Sequence, residues 1–198
     1  MNKKRSAYQF EVYLEENQPR IWRRFQIRSE ETFWGLHCAI QDSMGWSDYH
    51  LHEFTLEDRE GTELRFGIPD PEGDDLMPCL ASWEETLALY LTGPGMSFQY
   101  LYDFGDYWVH RVTFEGEHPA VAGKKYPLCL GGEMACPPED CGGAEGYFDF
   151  LEAALIPLHE EHPRTLQWAG GPFDPQQFDP AAVRFTNPRR RLERSMQG

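Results

Sequence analysis

The sequence lacks a long apolar run. Nowhere do its 198 residues offer the roughly 20 consecutive, predominantly apolar residues that a membrane-spanning helix needs. The first residues, MNKKRSAYQFEVYLEENQ, are basic at the start, but Glu11, Glu15 and Glu16 follow where a secretory signal would need an unbroken apolar segment. These absences predict a soluble, cytoplasmic protein with no membrane partner.

Positive charge is also scarce. The chain has 18 Lys+Arg against 33 Asp+Glu and a formal net charge of −15, so its averaged field repels phosphates and anionic lipid headgroups. Nucleic-acid binding would need a local basic patch. The sequence offers such a patch only in residues 184–198, which carry Arg184, Arg189, Arg190, Arg191 and Arg194. We expect this tail to be a mobile arm or to pair with the protein's own acidic surface.

Cysteine is present in only five copies, and no pair has the two-residue spacing of a zinc knuckle. An odd number of cysteines without an export signal favours reduced thiols or a metal site over a disulfide framework. Three of them, Cys129, Cys136 and Cys141, lie in the segment CLGGEMACPPEDC. They could form a zinc site closed by a histidine, the candidates being His50, His52 and His110. The alternative is a rigid Pro/Gly turn in which the thiols only pack.

The periodicity of the apolar residues predicts the fold class. Alternation predicts strands over residues 8–14, 21–27, 50–57 and 63–68, and a hairpin over 97–104 and 107–114. Helical spacing predicts helices over 33–44, 83–91 and 143–158, with Thr32 and a Ser82/Glu85 capping box as start signals. Residues 70–79 are expected to form a solvated acidic loop. We predict one α+β domain over residues 1–183, with a mostly antiparallel or mixed sheet packed against a few helices.

The stretch 97–143 combines dense aromatic residues with polar groups that could carry chemistry. Its hairpin reads SFQYLYDFGDYWVHRVTFEG, and the loop that follows contains CPPEDCGG. The candidate catalytic residues lie near the hairpin corner and in this loop: Asp103, Asp106, His110, Glu139 and Asp140. The alternative for the two corner aspartates is a turn role, because Asp commonly bonds its own backbone there. His37, on the inward stripe of the first helix, is expected to be a hydrogen-bonded core histidine.

Five strings occur in order between residues 8 and 183: YQFEVYLEENQPRIWRRFQI, LHCAIQDSMGWSDYHLHEF, YLYDFGDYWVHRV, CPPEDCGGAEGY and FDPQQFD. In these strings the chain resembles the plasmid pRiA4b ORF-3-like family of bacterial and archaeal proteins. The resemblance implies a one-domain α+β fold and no known reaction. Members occur on plasmids, near transposable elements and in chromosomes, and some carry resolvase-like names. A serine resolvase needs a catalytic serine among arginines and a basic helix-turn-helix, and neither can be read here.

Two functions from different classes remain open. The first is a non-enzymatic interaction or accessory module linked to plasmids or mobile elements, binding a protein or small-molecule partner through an aromatic face near Trp22, Trp108 and Tyr147. The second is a metal-dependent hydrolase or nuclease-like enzyme built on the His, Cys and Asp residues of the hairpin and the cysteine loop. The enzyme requires the ligands to converge around an open coordination position.

Overall fold

A computed structural model describes residues 6–70 and 78–197 of the chain. Most of the predicted acidic loop, residues 71–77, lies outside the described residues. The described residues form eight strands: β1 (Ser6–Leu14), β2 (Trp22–Arg28), β3 (His52–Glu57), β4 (Glu63–Gly67), β5 (Cys79–Ala81), β6 (Ser97–Tyr102), β7 (Trp108–Pro119) and β8 (Leu128–Glu133). Their helices are α1 (Phe33–Met44), α2 (Leu87–Tyr90), α3 (Gly143–Leu155), α4 (His162–Trp168) and α5 (Pro188–Ser195). The predicted α+β class is confirmed.

All eight strands belong to one sheet with the order β5-β4-β3-β6-β7-β1-β2-β8. Neighbouring strands are antiparallel except β4 and β5, which are parallel, so the sheet is mixed. The predicted hairpin β6–β7 lies in the interior of the sheet, between β3 and β1. Its rigid paired strands therefore support whatever the connecting residues 103–107 carry.

Helix α1 covers one face of the sheet and begins and ends as its capping residues predict. The Thr32 side chain accepts a hydrogen bond from the Gly35 N–H at 3.3 Å, and Gly45 ends the helix in the left-handed conformation with φ 91°. Residues on nearly every side of α1 are buried, because the sheet packs on one side and α5 on the other. A helix buried all round must satisfy its polar side chains internally.

Two local predictions are wrong. The Ser82/Glu85 capping box does not start a helix at residue 83: α2 is a single turn that begins after Thr86. Ser82 is instead fully buried, with its backbone bonded to Gly67 and Trp34 and its hydroxyl beside His52. Strand β8 lies within the segment predicted to be a loop, and pairs with β2. A side chain at Gly132 would collide with Phe178 and the Trp22 carbonyl, so this strand needs a glycine here. The same glycine interrupts the alternation of apolar side chains by which a strand is predicted.

The basic tail forms helix α5, whose side-chain cap is Asn187. Arg191 faces α1 and binds Asp42 at 2.6 Å, with Asp48 at 3.7 Å. The Trp34 indole donates to the Pro188 carbonyl at 2.8 Å. No helix in the described parts of the chain is long and apolar enough to cross a membrane.

Candidate functional site

Three loops meet at one end of the β6–β7 hairpin: residues 46–51, 103–107 and 134–142. Tyr102, buried at the end of β6, joins them, because its hydroxyl donates to Glu139 Oε1 at 2.7 Å and accepts from the Tyr49 N–H at 3.1 Å. Trp46 stacks on Tyr102 with centroids 5.0 Å apart and donates its indole N–H to the Pro137 carbonyl at 2.9 Å. The loops are therefore fixed on the end of the sheet.

One residue from each loop contributes to a group of possible metal ligands. His50 Nε2 lies 2.9 Å from Asp140 Oδ1 and 3.5 Å from Asp103 Oδ2. The three ligand atoms all lie within 4.8 Å of one another. We call His50, Asp103 and Asp140 the corner site. Within the described ranges, no other group of three or more His, Cys, Asp or Glu side chains brings its ligand atoms this close together.

The other two predicted acids at the corner have structural partners. Asp106 Oδ2 accepts a hydrogen bond from the Gly142 N–H at 3.0 Å. Its carbonyl lies so close to Gly143, whose φ is +69°, that no side chain fits there. Both oxygens of Glu139 are engaged, one by Tyr102 and the other by the Ser47 N–H at 2.8 Å. These two acids position the loop 134–142 against the hairpin.

The corner carries an excess of negative charge. Asp103 and Asp140 contact the His50 imidazole, and Asp106 and Glu139 lie in the same loops. None of the four has an ion pair with lysine or arginine among the residues described. The acids of the open sheet face differ: Glu11 and Glu115 bind Arg24 at 2.6 and 2.9 Å. Arg24 of β2 is thus neutralised by two carboxylates, whereas the carboxylates of the corner have no such partner among the residues described.

Large apolar side chains around the corner site are exposed to solvent. The exposed fractions are 79% for Tyr49, 50% for Leu51, 50% for Phe104 and 61% for Tyr107. We call these four residues together with the corner site the corner surface. Exposed apolar groups in one place indicate a binding surface more strongly than single scattered ones.

His52 does not reach the corner site, although it is only two residues from His50. It is the first residue of β3 and faces the core, where its ring stacks on His37 with centroids 3.7 Å apart. Its Nε2 lies 3.3 Å from the Ser82 hydroxyl. Burial holds the pKa of His52 well below its usual value, and the neighbouring His37 adds to this effect.

His37 belongs to a buried polar network, as expected for a core histidine. Its Nε2 is 2.8 Å from Asp48 Oδ1 and its Nδ1 is 2.8 Å from the Tyr100 hydroxyl. If Nε2–H donates to the carboxylate, Nδ1 accepts from tyrosine, and the neutral ring is satisfied at both nitrogens. Burial, and then the charge of Arg191, lower the pKa of His37 well below its usual value. We call His37, His52, Tyr100, Asp48 and Arg191 the buried network.

His110 is also fully buried on the inner face of the sheet. Its Nδ1 lies 3.0 Å from the Trp108 carbonyl, so Nδ1–H donates there, and Nε2 has no hydrogen-bond partner within the described residues. Burial lowers the pKa of His110 to about 4. The ring is therefore neutral near pH 7 and packs against Trp46 and Tyr100.

The predicted cysteine and histidine zinc group is not assembled in the described part of the chain, where the group of possible ligands contains no thiol. Cys129 lies on β8 with its sulfur 3.8 Å from the Arg24 carbonyl. Burial raises the pKa of the Cys136 thiol and raises that of Cys141 to about 12. These two thiols are therefore protonated at neutral pH in the metal-free chain. The physical reason is that two of the three proposed histidine partners are buried in the core.

The predicted aromatic face near Trp22, Trp108 and Tyr147 is wrong as a single exposed surface. Trp108 and Tyr147 belong to the hydrophobic core, and Arg24 covers the Trp22 ring at 5.2 Å. Among the exposed aromatic residues, Tyr49, Phe104 and Tyr107 lie in the loops at the corner, and none of them was a candidate. Their signal was their place beside the polar residues of the loops, a pattern that loop-borne sites commonly share.

The fold and the corner define a class: a one-domain α+β protein with a mixed eight-stranded sheet and a polar, aromatic surface at the end of its central hairpin. Within that class, the chain belongs to the family of plasmid pRiA4b ORF-3-like proteins, whose model matches residues 6–182. The resemblance drawn from the sequence strings is thereby confirmed.

Two relatives show how widely this architecture extends. The chain is 38% identical over 181 residues to the uncharacterized protein y4hQ of Sinorhizobium fredii, covering 91% of this chain and 88% of that one. It is also 38% identical to the protein of unknown function MM3350 from Methanosarcina mazei, whose crystal structure superposes with a TM-score of 0.82 and covers 93% of this chain and all of the other. Both relatives are described as proteins of unknown function.

Proposed function

We propose that the chain is a non-enzymatic interaction module that binds a protein segment rich in lysine or arginine at the corner surface. The observation that carries this proposal is the placement of four exposed apolar side chains around carboxylates that have no lysine or arginine partner within the described residues. Such a surface offers apolar contact area, and its carboxylates favour a positively charged partner.

The chemistry of the corner surface favours a cationic segment. Carboxylates accept strong, charge-assisted hydrogen bonds from guanidinium and ammonium groups. Aromatic faces such as those of Phe104 and Tyr107 attract the same cations through their π-electrons. The net charge of −15 adds a long-range attraction that raises the association rate of a basic partner.

A cleft beside Asp140 extends the acidic surface. It has a volume of about 510 Å³ and lies between α3 and α4. Asp149 and Glu152 line it, together with Glu161 and its ion-pair partner Arg164. A basic segment that crosses the corner could continue into this cleft. The cleft therefore supports a partner of peptide length.

A metal-dependent hydrolase has less support. Such an enzyme needs a free general base near its metal, and Glu139 and Asp106 already accept hydrogen bonds from the protein itself. His52 and His110 are buried. An accessory role on plasmids or other mobile elements agrees with the plasmid in the family's name. In such a role the module would act by binding another protein.

The proposal is tested with a fluorescent peptide of alternating arginine and alanine, and a glutamate/alanine peptide as its charge control. We expect the arginine peptide to bind, more weakly as salt rises, and the glutamate peptide not to bind. Phe104→Ala and Tyr107→Ala should each weaken binding about ten-fold, the effect of losing an aromatic anchor.

Leu158→Ala is the matched control, because Leu158 is 96% exposed in the turn that follows α3. It should leave the affinity for the arginine peptide unchanged. The proposal is wrong if the arginine peptide fails to bind at low salt, or if Leu158→Ala weakens binding as much as the corner variants do.

A further inference from the structure

We infer that the corner site binds one divalent transition-metal cation, with His50, Asp103 and Asp140 as its protein ligands. This inference goes beyond the proposed function and does not depend on it, since the cation needs no protein partner. The cation would, however, compete with a basic segment for Asp103 and Asp140. The ligand set differs from the predicted zinc group, because it contains no cysteine and shares only His50 with it.

The donor atoms have the spacing of ligands around a single ion. Zinc lies about 2.0–2.2 Å from imidazole nitrogen and carboxylate oxygen, so two ligands of a tetrahedral site are roughly 3.4 Å apart. His50 Nε2 is 3.5 Å from Asp103 Oδ2 and 2.9 Å from Asp140 Oδ1. Small movements of two side chains would place all three atoms around one cation.

The charge of Asp103 gives a second, independent reason for a cation. Its side chain is only 9% exposed, and its charged neighbour in the described structure is the His50 imidazole. Removing a carboxylate from water is unfavourable unless a counter-charge is close. The single charge that one imidazole can carry would offset only one of two carboxylates, and the adjacent Asp140 adds the second. A divalent cation would balance both carboxylates.

The ligands are held differently, and this leaves one side of the site open. Asp103 Oδ1 accepts a hydrogen bond from the Gly105 N–H at 2.8 Å, which turns Oδ2 towards His50. Asp140 is anchored less, with 66% of its side chain exposed. Three protein ligands beside solvent leave coordination positions for water or for a group of a bound partner.

The ligand types restrict the metal. Calcium and magnesium prefer sites built from oxygen alone, whereas imidazole nitrogen favours zinc and related transition metals, and carboxylates also suit manganese. One nitrogen and two carboxylates therefore fit Zn²⁺ or Mn²⁺. By the general affinity order of these ions, zinc should bind more tightly.

The test is a calorimetric titration of the full chain with zinc chloride, without any peptide, so that its outcome is separate from that of the peptide assay. We expect one zinc per chain at the corner site. His50→Ala and Asp140→Asn should each weaken this binding at least about ten-fold, because each removes a direct ligand. Both side chains are partly or largely exposed, and circular dichroism would verify that the variants fold.

Matched controls replace exposed residues of the same types away from the corner site. His118→Ala and Asp174→Asn should leave zinc affinity unchanged, as should Cys136→Ser. The inference is overturned if the chain binds no zinc, if His50→Ala binds it as tightly as the original chain, or if Cys136→Ser alone abolishes binding.

Discussion

His50 and His52 are two residues apart, yet they belong to different regions of the molecule. His52 begins β3, and its ring is buried against His37 in the buried network. His50 precedes the strand, and its ring lies between two carboxylates at the solvent-facing corner site. The comparison separates two uses of the same side chain: the buried network fixes the fold, and the corner site is available to a ligand.

Neighbouring charge distinguishes the regions as clearly as burial does. In the buried network, Asp48 is close to Arg191, which also binds Asp42, so its acids have a basic partner. At the corner site, the acids share a single imidazole. A buried network whose acids have a basic partner contributes to a unique structure, whereas unbalanced surface charge is free to act on a partner.

The largest effect should come from the buried network. Arg191→Ala leaves Asp42 and Asp48 nearly buried without their cation, and breaking such a pair costs about 3 kcal/mol of unfolding free energy. Urea unfolding would measure it. Arg190→Ala, an exposed arginine on the same helix, should change stability by less than about 0.5 kcal/mol. Equal effects of the two variants would show that α5 does not depend on its buried ion pair.

Acid should destabilise the same region. The pKa values of His37, His52 and His110 are lowered in the folded state, to about 4 for His110, from an ordinary value of 6.5. Stability is therefore fully present above about pH 6.5. It is lost as the pH falls towards the folded pKa values, because the unfolded chain then binds protons that the folded chain excludes.

His110→Phe isolates one of these histidines. Between about pH 7.5 and 5.5, the variant should lose roughly 1.4 kcal/mol less unfolding free energy than the original chain, the equivalent of about one pKa unit. Urea unfolding at the two pH values gives the difference. Replacing the exposed His118 with alanine should not alter the pH dependence. An unchanged slope in His110→Phe would contradict the buried, neutral state of His110.

The smallest change in stability should come from the junction between the regions. Tyr102→Phe removes the hydroxyl that joins Tyr49 and Glu139, and should cost about 1 kcal/mol in urea unfolding. It should also weaken zinc binding, because the loops that carry His50 and Asp140 lose a common anchor. Tyr13→Phe is the control, since its ring lies on the sheet face under Arg20. Unchanged zinc affinity in Tyr102→Phe would show that Tyr102 does not position the zinc ligands.

The sequence predicts the parts of this molecule that depend on local pattern. Alternating apolar residues define β6 and β7, and Thr32 and Gly45 define the ends of α1. Strand β8 could not be predicted in this way, because its glycines weaken the pattern and its partner β2 lies about a hundred residues earlier. Helix α5 likewise depends on Asp42, a residue far away in the chain.

The candidate site was predicted in composition but not in arrangement. His50, Asp103 and Asp140 were all candidates, and each lies beside a turn or loop signal. Alternation places His50 and His52 on one face, but the strand begins only at His52, so the two rings separate. Tyr102 and Trp46 were missed as positioning residues, because an aromatic residue on a strand or after a helix gives no local sign that its polar atom will bind a distant loop.

The most direct test of this comparison is paramagnetic broadening by Mn²⁺ in nuclear magnetic resonance spectra of the full chain. At low Mn²⁺ concentration, the signals of Tyr49, His50, Leu51 and Phe104 should broaden first, while those of β8 at Cys129 remain sharp. Broadening centred on the cysteines, or spread evenly over the acidic surface, would contradict the assignment of ligand binding to the corner site.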